Sequence, residues 1–147
     1  MTQPPLEISA GVSVRAEPER VWQVAMDWSR QGEWIPGTRV RGGAGTGAEV
    51  AAWTGIGRIG FTDTMIITEW DPPRRCVVQH TGKVVRGSGV FEVLPRGALS
   101  EFRWTELVEL PVPAALAPAA TLAGRWTIVP LTRLALGYAL RRFARLF

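Results

Sequence analysis

The closing segment Pro130 to Phe147, PLTRLALGYALRRFARLF, constrains this chain more than any other. Within it Thr132, Ala135, Leu136, Ala139, Leu140, Phe143 and Phe147 recur every three or four residues, which is one face of an α-helix. Pro130 suits a first helical turn, where its missing N–H costs nothing. Most of what precedes this helix has strand period, so its apolar stripe has a sheet to bury itself against. A curved antiparallel sheet wrapped around a helix leaves a hollow between the two, and the functional reading starts from that hollow.

Composition narrows the alternatives. With 147 residues, 46% of them hydrophobic and 20% charged, the chain reads as one globular domain, 1–147. The formal charge of +4 rests on arginine, with Lys83 the only lysine, and is read as genome composition; no nucleic-acid partner is expected. The single cysteine, Cys76, excludes an internal disulfide and fits a reducing compartment. MTQPPLEIS has neither the basic nor the apolar region of a signal peptide. No charge-free apolar run reaches the ~20 residues of a membrane span, the nearest being the proline-interrupted Leu110 to Gly124. A bacterial, cytoplasmic protein is the expectation.

Ile8, Ala10, Val12 and Val14 alternate as a first strand. Pro18 opens a helix that carries Val21, Trp22, Val24 and Ala25, and Asp27 to Ile35 reads as a second short helix, capped by Asp27 or Ser29 and ended by Pro36-Gly37. From Thr38 to Leu110 strands and turns alternate without helices, the pattern of an antiparallel meander. Ala114 to Val129 is expected to be helical, with a kink or break at Pro130. The Gly-rich stretch Gly42 to Gly47 joins two strands and does not open a helix, so it is no phosphate loop; it is either a flexible loop at a cavity entrance or a long hairpin.

Several segments together resemble the helix-grip superfamily of polyketide cyclases, lipid-transfer START domains and pollen-allergen-like proteins, often called SRPBCC. They are Val14 to Trp22 with its acidic-Pro turn, Trp34-Ile35-Pro36-Gly37, Glu69 to Arg75, Phe102-Arg103-Trp104-Thr105-Glu106, Leu110-Pro111 and Ala139 to Ala144. The resemblance covers nearly the whole chain. It implies an α+β helix-grip fold, β-α-α-β6-α, in which a curved antiparallel sheet of about seven strands wraps a long C-terminal helix. It also implies a hydrophobic small-molecule ligand, or cyclase/dehydratase activity, without deciding between them.

Strand alternation then selects the cavity wall. If Phe61, Phe91 and Phe102 point inward, so do Asp63, Met65, Trp104 and Glu106, and the Cys76, Val78 and His80 face of the strand between is taken to do the same. With Trp34, Leu136 and Leu140, these form the expected ligand-binding lining, apolar and aromatic with few polar groups. Glu106, a carboxylate on an apolar face, is the first candidate for general acid or base chemistry, with His80, the only histidine, or Asp63 as partner. Plainer readings stand beside these: inward rings as core, Glu106 paired with an arginine, Asp63 in a salt bridge, His80 as a satisfied strand residue. One His and one Cys on a single strand make no zinc set, no G-x-S-x-G is present, and neither metal nor cofactor is expected.

Leu131, Leu134 and Tyr138 fall off the main stripe. With the Ala-rich segment before them they leave open a homodimer or a peripheral membrane contact. Tyr138 could instead cap the cavity. Arg133, Arg141, Arg142 and Arg145 read as the solvated face of the same helix.

Overall fold

A computed structural model of the protein describes residues 4–147; the first three residues of the N-terminal stretch read above for a signal peptide lie outside it. In chain order the elements are β1 (Leu6–Val14), α1 (Pro18–Ala25), a 3₁₀ helix (Trp28–Glu33), β2 (Thr38–Gly42), β3 (Glu49–Ile56), β4 (Ile59–Asp71), β5 (Arg75–His80), β6 (Gly87–Arg96), β7 (Leu99–Val108), a short 3₁₀ turn (Ala114–Leu116), α2 (Ala117–Trp126) and α3 (Ile128–Ala144). The strands form one sheet in the order β1-β7-β6-β5-β4-β3-β2. From β2 to β7 each strand pairs antiparallel with the next, and β1 lies antiparallel beside β7. This is the helix-grip arrangement, a curled antiparallel sheet closed by the C-terminal helix.

Register fixes the two ends of the sheet. Leu6 and Gly87 both stand opposite Val108, Met65 opposite His80, and Ile56 opposite Ile59. The β3–β4 hairpin tip, the β5–β6 loop, and the exit from β7 therefore share one end. Val14↔Ser100, Asp71↔Arg75 and Arg96↔Leu99 mark the other.

Two local details depart from simple periodicity. On β4 the register slips between Ile67 and Glu69, so the inward set runs Phe61, Asp63, Met65, Ile67 and then Trp70. A bulge of this kind inserts one residue and flips the parity beyond it. It brings Trp70 against Trp22 of α1, ring centroids 5.1 Å apart. The second departure is the helix break. It falls at Thr127 and not at Pro130, which lies inside the first turn of α3. Pro130 has no N–H to give to the Trp126 carbonyl, and its ring would crowd that carbonyl, so the preceding helix has to stop before it.

Leu136, Ala139, Leu140 and Phe143 are the buried face of α3, as the stripe predicts. Toward its C-terminal end α3 meets a dense aromatic cluster. Trp34 lies edge-on to Phe102 (5.8 Å), Trp104 (5.8 Å) and Phe143 (5.1 Å), and Phe102 and Phe143 are 4.6 Å apart. The 3₁₀ helix that delivers Trp34 is capped by the Asp27 carboxylate, which accepts from the Ser29 backbone N–H at 3.2 Å. The Gly42 to Gly47 stretch is a hairpin connection, pinned where Trp28 Nε1 donates to the Gly43 carbonyl at 2.8 Å. It sits at the opposite end of β3 from the β3–β4 tip, where β3 begins at Glu49 beside Ile66.

Candidate functional site

Between the sheet and α3, at the end holding the β3–β4 tip, lies a cavity of about 670 Å³. Its walls are mainly apolar: Phe61, Met65, Val78, Phe91, Trp104 and Leu136 contribute. Its outer lining includes exposed Val84, Arg86 and Glu109 from connections at that end and exposed Ile128 from the start of α3, so the mouth is there. The cavity persists because of what α3 presents over it. Thr132 and Ala135 are short, where the next turns of the same stripe offer Leu140 and Phe143.

The polar part of the wall is a trio from three strands. His80 Nδ1 stands 2.8 Å from Asp63 Oδ2, off the line of the ring N–H, so this contact is an ion pair and not a directed hydrogen bond. On the other side His80 Nε2 and Glu106 Oε2 are 3.4 Å apart. Glu106 Oε1 accepts from Trp104 Nε1 at 2.7 Å. The side chains are nearly enclosed, at 7% exposure for His80, 12% for Asp63 and 15% for Glu106.

His80 and Glu106 belong to strands that are not neighbours. β6 lies between them, and the residue facing inward there is Gly89, paired with Val78 on one side and Glu106 on the other. A Cβ at Gly89 would stand 3.1 Å from Glu106 Oε1 and 3.2 Å from Val78 Cγ2. The bare backbone is the gap through which the two side chains meet.

Burial has the largest single influence on His80 and acts against its charged form. The contacts with Asp63, and then with Glu106, outweigh it and push the imidazole pKa up to about 9. At neutral pH the ring is therefore a doubly protonated cation held between two carboxylates. Such a group donates a proton. It does not wait to accept one. The trio does not converge on a point where a metal ion could be held.

Of the residues expected in the wall, Phe61, Met65, Val78, Phe91, Trp104 and Leu136 line the cavity, together with Asp63, His80 and Glu106. Trp34, Cys76, Phe102 and Leu140 do not. They share the inward face but lie in the closed core, each with 0% exposure. For Glu106 the arginine pairing considered from sequence gives way to His80 and Trp104. Tyr138 does not cap the cavity; it is half exposed on the outer side of α3 with the Arg142 guanidinium 6.0 Å from its ring. Sequence reading missed Gly89 as the spacer, Ala135 and Thr132 as the short residues over the hollow, and Gln31 and Thr38 in the lining. The signal for Gly89 was present, since it falls between Phe91 and Gly87 on the face already read as inward.

Fold and site together define a helix-grip protein with an internal cavity. The chain belongs to the polyketide cyclase / dehydrase and lipid transport family, whose model matches residues 5–145. No curated protein matches the sequence. Among solved structures it is similar to TTHA0849 from Thermus thermophilus, with a TM-score of 0.73, 19% identity and 95% of each chain covered. It is also similar to the di-domain ARO/CYC protein BexL from the BE-7585A biosynthetic pathway, with a TM-score of 0.74, 17% identity, 96% of this chain covered and 47% of that one. A third is the Aha1 dimer from Colwellia psychrerythraea, with a TM-score of 0.57, 16% identity, and 86% and 92% covered. At these identities the likeness is one of fold. No helix among the described residues is long and apolar enough to cross a membrane.

Proposed function

We propose that this protein binds an apolar, ring-bearing small molecule in the sheet–helix cavity and fixes its polar group at Asp63, His80 and Glu106. The observation that carries this reading is a buried histidine held between two acidic side chains, 2.8 Å from Asp63 and 3.4 Å from Glu106, set into an otherwise greasy wall of about 670 Å³. A cavity of ~300–1,000 Å³ with aromatic walls and few convergent polar groups is the usual form of a small-molecule site. Apolar contact supplies the affinity, at roughly 25 cal/mol per Å² removed from water. The trio supplies orientation, because a carbonyl or hydroxyl left unpaired in such a wall would cost about 1–3 kcal/mol.

The same trio favours a second reading, a cyclase/dehydratase-type enzyme. His80 would act as the general acid toward a ligand carbonyl, and Glu106 would accept a proton from the adjacent carbon. The two readings agree on the cavity and differ on Glu106. Nile red should bind saturably and be displaced by a hydroxylated polycyclic aromatic. Glu106→Gln should keep that binding within a few-fold. If turnover of a poly-carbonyl substrate is found and Glu106→Gln abolishes it, the enzyme reading holds. Absence of any saturable binding by the wild-type chain would end both.

A further inference from the structure

We propose that the rim of the cavity mouth docks on an anionic lipid bilayer, mouth first. Three separate connections reach this rim, and each repeats the same chemistry. The β3–β4 tip reads Ile56-Gly57-Arg58-Ile59, the β5–β6 loop Lys83-Val84-Val85-Arg86, and the α2–α3 corner Arg125-Trp126-Thr127-Ile128. The apolar members are unusually open for their size: Ile56 is 89% exposed, Ile59 85%, Trp126 79% and Val84 69%. Arg58, Lys83, Arg86 and Arg125 beside them are also exposed. Among the described residues none of these cations takes part in a salt bridge. The fourth connection at this end, from β7 to α2, brings one acid, Glu109, and the further exposed apolar residues Val112 and Leu116.

Register places the β3–β4 tip, the β5–β6 loop and the β7 exit at one end of the sheet, and Ile128 in the cavity lining brings the α2–α3 corner to the same end. Val84, Arg86, Glu109 and Ile128 line the cavity itself, so the patch and the mouth are continuous. Single large apolar side chains on the tips of several loops, each beside a cation, suit shallow insertion below a layer of phosphates. The apolar groups reach the acyl boundary while Arg and Lys stay at headgroup level, and Trp is at home in that interface. The charge is the reason for choosing a bilayer of anionic lipid: four free cations on the three connections face outward, against Glu109 on the fourth and Glu7 at the start of β1, and each cation near such a surface strengthens binding roughly fivefold. Docked in this pose, the hollow would open onto the lipid phase. The inference stands whether or not the trio handles the guest's polar group.

The test is sedimentation of the full chain with vesicles of phosphatidylcholine alone and of phosphatidylcholine mixed with phosphatidylglycerol. The mixed vesicles should bring the protein down with at least tenfold greater partition, and added salt should release it. Lys83→Glu with Arg86→Glu should cut the partition by more than about 25-fold. Ile56→Asp with Ile59→Asp, on an independent loop, should abolish it while Nile red binding stays intact. Equal partition onto both vesicle types, no partition at all, or unchanged partition of both double variants would overturn the proposal. So would light scattering that shows a dimer of this chain dissolved by Ile56→Asp and Ile59→Asp, since the rim would then be an interface between copies.

Discussion

The two halves of the space under α3 are built from the same sheet face and the same helix stripe, yet one is solid and the other hollow. In the closed half, Trp34, Phe102, Phe143 and Leu140 fill the space with bulk and have 0% exposure. In the open half, the sheet offers Gly87 and Gly89 on β6, and the helix offers Thr132 and Ala135. Gly87 has a positive φ of 115°, and a Cβ there would collide with the Leu107 carbonyl, so the glycine is fixed by backbone geometry as well as by space. The lesson is that alternation sets which face a residue takes, whereas residue size, read across strands and helix together, sets whether that face is core or cavity.

The contrast is breakable by mutation. Truncation in the closed half should have the largest effect: Trp34→Ala is expected to cost ~3–5 kcal/mol in denaturant unfolding. Phe61→Ala at the mouth should cost about 1 kcal/mol or less. Equal losses would mean that the open half is packed as tightly as the closed one.

The next effect is electrostatic. His80 is the only histidine, so its ring protons should titrate alone in an NMR spectrum, with a midpoint near 9 against an ordinary 6.5. The folded-state value is raised, so its stabilising contribution is fully present below about pH 6.5 and is lost as pH rises through about 9. With screening through the open mouth allowed for, stability should fall by about 1–2 kcal/mol across that window. Asp63→Asn should lower the midpoint most and Glu106→Gln less. A midpoint that ignores both substitutions would break the trio apart.

Filling the hollow should be the mildest change to the fold. Ala135→Leu is expected to leave unfolding within ~1 kcal/mol of the natural chain. The same substitution should weaken Nile red binding tenfold or more. Unchanged dye affinity would place the dye somewhere other than the cavity.

Most of the architecture was legible because its signals are local. Strand alternation placed Asp63, His80 and Glu106 on the inner face, and the spacing of Leu136, Ala139, Leu140 and Phe143 fixed the buried stripe of α3. Depth was not legible. Cys76 and Val78 share a parity on β5, yet only Val78 reaches the cavity, because distance along the sheet from the mouth is a tertiary quantity. The meeting of His80 with Glu106 was hidden for the same reason: it depends on β6 lying between their strands and on Gly89 falling opposite Val78 and Glu106. The bulge after Ile67 carried no Gly or Pro to announce it, and the helix break at Thr127 is displaced from the proline that causes it.

Cys76 has a use of its own. Its thiol is fully enclosed, and burial, aided by the nearby Glu69 charge, drives its pKa up to about 12. A thiol so deep and so reluctant to ionise reacts with an alkylating reagent only while the surrounding structure is open. Since no second cysteine competes, the rate at which the chain takes up one label is a clock for its opening, readable by mass alone at a pH near or above the ~8.5 at which an exposed thiol ionises.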